Sequence, residues 1–155
     1  MKLEYNRKEH LRLLKRRHEL IKNGKFLSDE DDAQLLHYSV QMSSRLHWVN
    51  RKKYQEFISD FLNAKICGKQ FAEEFKTMFI KFDDYPDTAS YEEIKNFELS
   101  LNSFGFENVV YSIYTDCEEF WDEYNPENGF DPVLKTENQL RQAVESMLST
   151  IQKYV

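Results

Sequence analysis

The sequence contains few residues that break or cross-link regular structure. Its 155 residues include four glycines, three prolines and two cysteines. An all-β chain needs many turns, which glycine and proline commonly occupy, so their scarcity disfavours that class. The two cysteines, Cys67 and Cys117, cannot make a disulfide framework, and no Cys/His spacing of a metal site is present. We expect both thiols to be free and buried on helices, and we expect no metal and no cofactor.

Long apolar runs and an excess of cations are also lacking. No run approaches the roughly 20 residues that a membrane-spanning helix needs, and no apolar segment of the signal-peptide kind follows the charged N-terminus. The formal net charge is −6, whereas direct binding to nucleic-acid phosphates needs an excess of lysine and arginine. We therefore expect a cytoplasmic protein with no membrane partner and no direct nucleic-acid partner.

The sequence does show a helical period in its apolar residues. Apolar residues recur three or four positions apart almost throughout, as in Phe71, Phe75 and Phe79, which is the spacing of a buried helix face. A chain of this length can bury a core in one domain. The sequence predicts an all-α, single-domain helical bundle of six to seven helices.

Capping residues and breaks place the boundaries of these helices. Asn23-Gly24 predicts a helix end, while Ser28 and the pair Thr136 and Gln139 predict helix starts. Residues 83–87 predict a loop. We expect one helix to begin at Ser90 and end at Gly105, and the next to carry its apolar stripe from residue 110 to residue 124.

Charge is distributed unevenly along the chain. Residues 1–50 hold ten cations and seven acids, a net +3, and residues 51–155 hold eleven cations and twenty acids, a net −9. We interpret residues 1–50 as a basic N-terminal extension of two helices and residues 51–155 as an acidic helical-bundle core. Both would belong to one compact domain.

The acidity is greatest between Phe82 and Asp131, with 14 carboxylates and one cation, Lys95. Twelve aromatic residues in the same stretch argue against a disordered tail, because disorder requires low hydrophobicity. Like charges three or four residues apart on a helix, as at Asp116 and Glu119, repel each other. Either a basic partner offsets this repulsion, or the acids only keep a helix face solvated. Trp121 is of the residue type that often anchors interfaces.

Catalytic motifs are nearly absent. Arg12 and His18 have the R-x5-H spacing of helical ribonucleases of the HEPN class, although a single such spacing in an arginine-rich helix is close to chance. There is no glycine-rich phosphate loop and no supported Ser/His/Asp arrangement. We therefore expect that the chain is not an enzyme, with a helical ribonuclease using Arg12 and His18 as one alternative.

Three segments support a resemblance to a known family. Residues 61–66 lead into residues 71–75 as a helix pair, residues 122–127 form an acidic–aromatic–proline turn, and residues 137–141 begin a closing helix. Over roughly residues 54–155 the chain resembles the small helical immunity proteins of the colicin D type. The first 50 residues have no counterpart in that pattern, and Asn125 stands where it has an acid.

The resemblance implies a bacteriocin immunity protein. Such proteins bind a cognate tRNA-cleaving toxin nuclease domain and fill its basic active site with acidic side chains in place of tRNA phosphates. The alternative from charge alone is a generic acidic adaptor for another basic protein, and the oligomeric state is open. The predicted toxin-binding residues are Glu119, Trp121, Asp122, Glu123, Tyr124 and Glu127.

Overall fold

The chain folds as an all-α bundle, as predicted. The computed structural model describes residues 5–88, 100, 102–127, 129 and 131–154. Over these residues it has no strand, only one isolated parallel bridge between Phe120 and Lys135. The six helices of this part of the chain are α1 Arg7–Lys22, α2 Asp29–Val49, α3 Arg51–Leu62, α4 Gly68–Thr88, α5 Ser103–Glu119 and α6 Glu137–Gln152.

Local capping chemistry sets several helix ends where the sequence predicts them. The side chain of Ser28 accepts a backbone hydrogen bond at the start of α2, and Thr136 and Gln139 form both bonds of a capping box at the start of α6. After α1, Gly24 adopts a left-handed φ of +68°. That conformation is strained for residues with a Cβ atom, so glycine suits the position.

Two predictions near α4 are wrong. Residues 83–87, predicted as a loop, belong to α4, which continues to Thr88. The apolar stripe of this helix stays buried through Phe82, and the next side chain, Asp83, bonds to α2, so tertiary contacts extend the helix beyond its local signals. Cys67 is exposed, whereas Cys117 is buried as expected, because Cys67 lies in the connection before α4 rather than on a helix.

The boundaries of α5 also differ from expectation. Gly105 lies inside this helix rather than at the end of the preceding one, and most of the helix predicted from Ser90 falls outside the described residues. The stripe predicted to residue 124 is helical only to Glu119. Phe120 has extended backbone with a ψ of 130°, because Trp121 N–H donates to Lys135 O at 3.1 Å instead of continuing the helix.

Buried side chains form two clusters. The larger joins α3, α4, α5 and α6 around fully buried rings such as Tyr54, Phe71 and Phe106. The smaller lies between α1 and α2 around Leu13 and Tyr38. Helix α2 reaches both clusters, since its C-terminal half packs against the larger one. The predicted division of the chain at residue 50 stays a prediction.

Aromatic stacking dominates the larger cluster. The rings of Phe61 and Phe71 stack with centroids 4.3 Å apart and planes 10° apart, and Phe57, one turn before Phe61 on the same face of α3, stacks on Phe71 at 5.3 Å. The guanidinium of Arg141 lies 4.3 Å from the Phe61 ring centroid, which ties α6 to the same stack. Among the helices described, none combines the length and apolarity that a membrane span requires.

His10 is a titratable group inside the smaller cluster. Its side chain is fully buried, with Nδ1 2.8 Å from the Tyr5 hydroxyl. Nε2 has no hydrogen-bond partner in the described part of the chain. Burial, with a smaller effect from the charge of Arg17, lowers the pKa of His10 from its ordinary 6.5 to about 4.

We predict that truncating the stacked core ring destabilises the protein far more than truncating an exposed one. Phe71→Ala should lower the free energy of unfolding by about 3–5 kcal/mol, the usual cost of removing a buried phenylalanine ring. Phe26 is 86% exposed, so Phe26→Ala should change it by less than about 0.5 kcal/mol. Urea denaturation of both variants measures this difference, and equal midpoints would contradict the described core.

We predict that His10 makes the protein sensitive to mild acid. Its pKa is lower in the folded than in the unfolded chain, so its contribution to stability is complete above pH 6.5 and is lost as the pH falls towards 4. At 1.36 kcal/mol per pKa unit, the loss reaches about 3 kcal/mol. His10→Phe should flatten the pH dependence of unfolding between pH 6.5 and 4, measured by urea denaturation at each pH.

The matched control for this prediction is Leu13→Ala, which truncates a buried side chain of the same cluster that does not titrate. It should lower the free energy of unfolding by a similar amount at every pH and so keep the slope of the unaltered protein. A His10→Phe protein that loses stability as steeply as the unaltered protein over this pH range would show that other groups govern the acid sensitivity.

Candidate functional site

The acid–aromatic loop, residues 121–134, follows the end of α5 and leads to Lys135, which forms the isolated bridge with Phe120 just before α6 begins. At its base Lys135 N–H donates to Glu119 O at 2.9 Å, and Trp121 N–H donates back to Lys135 O at 3.1 Å. These two bonds close the loop. Its sequence contains four acids and no lysine or arginine. The base is therefore fixed by the backbone, while the loop itself carries charge of one sign.

A lysine from beyond the loop compensates part of the acidic helix face. Lys135 Nζ lies 3.7 Å from Asp116 Oδ1 and makes a closer ion pair with Glu119. Burial raises the pKa of Asp116, and the nearby charge of Lys135 acts in the opposite direction. The bond to Glu119 raises the pKa of Lys135. The predicted repulsion between Asp116 and Glu119 is thus offset within the protein, by a cation 16 residues after Glu119.

Two aromatic side chains of the loop lie against each other. Trp121 is 48% exposed, and its ring stacks on that of Tyr124 with centroids 6.2 Å apart and planes 24° apart. The Tyr124 hydroxyl donates to Asp131 O at 3.1 Å and accepts from Asp131 N–H at 3.2 Å. Asn125 Oδ1 accepts from Glu127 N–H at 3.0 Å. Internal hydrogen bonds therefore hold the Tyr124 ring and the turn after it, and the Trp121 ring stacks on Tyr124.

A groove of about 430 Å³ runs along this surface, lined by both rings and by the carboxylates of Glu123 and Asp131. Asp122 and Glu127 are exposed in the same loop. An aromatic face attracts a cation at short range, and a carboxylate forms charge-assisted hydrogen bonds with guanidinium or ammonium groups. The groove therefore has the chemistry to accept a lysine or arginine side chain.

The structure brings five of the six predicted toxin-binding residues into this loop: Trp121, Asp122, Glu123, Tyr124 and Glu127. The sixth, Glu119, lies at the loop base and is engaged by Lys135. The apolar stripe predicted to residue 124 placed Trp121 and Tyr124 on a helix, and they instead lie in the loop after it, whereas Glu127 was expected in a turn. Whether they contact a toxin stays a prediction.

Arg12 and His18, the alternative catalytic pair, do not converge. Six residues along an α-helix correspond to about 600°, so their side chains leave the axis about 120° apart. Both are exposed, and Arg12 makes hydrogen bonds of 2.6 and 2.9 Å to the carboxylate of Glu9. That bond lowers the pKa of Glu9 and raises the pKa of Arg12.

A second polar site lies between α2, α4 and α5, with His47 buried, Glu107 half-buried and Asp83 exposed, and was missed from the sequence. His47 of α2, Asp83 of α4 and Glu107 of α5 each offer one ligand atom, and these atoms lie within 4.8 Å of one another. The three residues are 36 and 24 positions apart, so no motif spacing joins them. Only the helical continuation of α4 through Asp83, where a loop was predicted, brings this cluster together.

Comparison with known proteins finds no family, no curated protein and no solved structure that matches this chain.

Proposed function

We propose that this chain is an immunity or inhibitor protein that acts in the cytoplasm, without catalytic activity of its own. It would bind a cognate tRNA-cleaving toxin nuclease domain through the acid–aromatic loop. The observation that carries this proposal is the groove beside Trp121 and Tyr124, where exposed rings adjoin carboxylates with no cation in the loop. The toxin class follows from the resemblance to colicin D-type immunity proteins.

The charge of the loop supports a basic partner. A nuclease domain that cleaves tRNA presents a cationic cleft to the substrate phosphates. Asp122, Glu123 and Glu127 are exposed and would occupy that cleft in place of phosphates. Charges of opposite sign steer two proteins together and raise the association rate.

The aromatic residues support tight binding after the encounter. Trp121 and Tyr124 are large, and hydrogen bonds at Tyr124 already fix the second ring, so binding orders few additional groups. Tryptophan and tyrosine are enriched among the residues that contribute most to interface affinity. The loop would thus combine exposed carboxylates for encounter with two anchoring rings.

A generic acidic adaptor would use the same groove on a different basic protein. The ribonuclease alternative is disfavoured by the geometry of Arg12, whose guanidinium is engaged by Glu9. Incubation of the purified protein with tRNA should give no cleavage. Cleavage that disappears on His18→Ala would favour the ribonuclease instead.

We predict that reversing two loop charges abolishes inhibition without unfolding the protein. Asp122→Lys with Glu123→Lys should weaken binding to a tRNA-cleaving nuclease domain of the colicin D type by about 30-fold or more. Loss of one partner of a buried interfacial charge pair costs roughly 2–5 kcal/mol, and about 1.4 kcal/mol corresponds to tenfold. Binding kinetics and inhibition of tRNA cleavage measure the effect. The association rate should also fall as salt rises.

The matched control is Glu73→Lys with Glu74→Lys, an adjacent exposed pair on α4 that gives the same change of net charge. It should keep affinity within a few-fold, and both double variants should retain the melting temperature of the unaltered protein. An equal loss of affinity in both double variants would indicate a nonspecific charge effect. Binding that survives the loop reversal would place the contact elsewhere, and binding only to other basic proteins would favour the adaptor.

A further inference from the structure

The cluster of His47, Asp83 and Glu107 is built around a fixed imidazole. The His47 side chain is fully buried and stacks on Phe79 with centroids 4.5 Å apart. Its Nδ1 lies 2.7 Å from the Tyr54 hydroxyl, and its Nε2 lies 3.1 Å from Asp83 Oδ1. One ring nitrogen is thus held by a partner in the core, while the other faces a carboxylate.

The second carboxylate reaches the cluster from α5. Glu107 accepts a hydrogen bond from the fully buried hydroxyl of Ser44, and Ser43 donates to Asp83 Oδ1 at 2.9 Å. Both carboxylates line a cavity of about 300 Å³ between α2 and its neighbours. Each acid therefore has one neutral hydroxyl donor and also faces an open space.

Two carboxylates of this cluster lie close to one another. Within residues 5–88, 100, 102–127, 129 and 131–154, no lysine or arginine forms an ion pair with Asp83 or Glu107. Two carboxylates and one imidazole thus offer ligand atoms to one position, beside a cavity whose lining also includes Arg17.

The spacing of the ligand atoms suits a metal ion. Atoms bound at about 2.1 Å in a tetrahedral arrangement are about 3.4 Å from each other. The Nε2–Oδ1 separation of 3.1 Å is close to that value, and the Glu107 oxygen, which lies within 4.8 Å of both atoms, would complete the set by a shift of its side chain. Helix bundles commonly build metal sites from carboxylates and histidines on facing helices.

We propose that His47, Asp83 and Glu107 bind a divalent first-row transition-metal ion, of which Zn²⁺ and Mn²⁺ are the probes to test. An imidazole ligand favours such ions over Mg²⁺ and Ca²⁺, which take oxygen ligands. With three protein ligands, the ion keeps a coordination position for water or a small ligand, and the adjoining cavity provides space for it. Tyr54 orients the imidazole by its bond to the ring nitrogen that does not bind the metal.

The metal site does not depend on the proposed toxin binding, because it uses residues of α2, α4 and α5 and none of the acid–aromatic loop. A failure of the loop to bind a nuclease would leave the proposed metal site intact. A failure to bind metal would likewise leave the proposed toxin binding intact.

The test is a calorimetric titration of the chelator-treated full chain with Zn²⁺, Mn²⁺ and Mg²⁺. We expect one equivalent of Zn²⁺ or Mn²⁺ to bind and to raise the melting temperature, because a ligand that binds only the folded state stabilises it. Mg²⁺ should bind far more weakly. Absence of Zn²⁺ and Mn²⁺ binding to the folded protein, or a preference for Mg²⁺, would overturn the proposal.

Near-isosteric variants assign the ligands. Asp83→Asn and Glu107→Gln should each weaken binding by about 100-fold or more, because loss of an outer-shell partner alone costs about 10- to 100-fold. The matched controls are Asp84→Asn, one residue away and exposed on α4, and His37→Gln, exposed on α2. Both should bind as the unaltered protein does.

Circular dichroism would first show that each variant is folded. Asp83→Asn and Glu107→Gln are expected to fold without metal, because each removes charge from the cluster. Zn²⁺ binding that persists unchanged in both would locate the ion at other surface groups and overturn the assignment.

Discussion

Burial of the aromatic rings carried by α3 and α4 is the interaction on which the rest of the structure depends. Stacking of Phe61 on Phe71 joins these two helices, and the same row of α4 continues to Phe79, which stacks on His47. Each fully buried ring contributes several kcal/mol through area removed from water and close contact. The bundle that results places the polar cluster on one side and supports α5, from which the acid–aromatic loop begins.

The parts of the fold predicted from sequence are those with local causes. A capping box at Thr136 and a glycine after α1 act within four residues, so their effect can be read directly from the chain. The end of α5 depends instead on Lys135, which pairs with the backbone beside Phe120. The apolar residues through Trp121 and Tyr124 recur with a helical period, so the sequence predicts a helix there. Only the pairing with Lys135, which is distant in sequence, shows that the helix ends earlier.

The two candidate sites differ in how far sequence could identify them. The loop residues were found because their charge and aromatic content are concentrated in one segment. His47, Asp83 and Glu107 come from three helices and carry no common spacing, so only the packing reveals them. The helical conformation of α4 at residue 83 matters most here, because a loop at that position, as predicted, would remove the carboxylate from the cluster.

The paired backbone bonds at Lys135 make the acid–aromatic loop separable from the bundle. Its ends are joined where the backbone of Lys135 bonds to Glu119 and Trp121, so the hydrogen bonds that close the loop use no side chain of the residues within it. The entropic cost of closing such a loop rises only slowly with its length, and surface loops tolerate substitution better than the elements that they connect. The sequence of this one segment can therefore change while the scaffold remains constant.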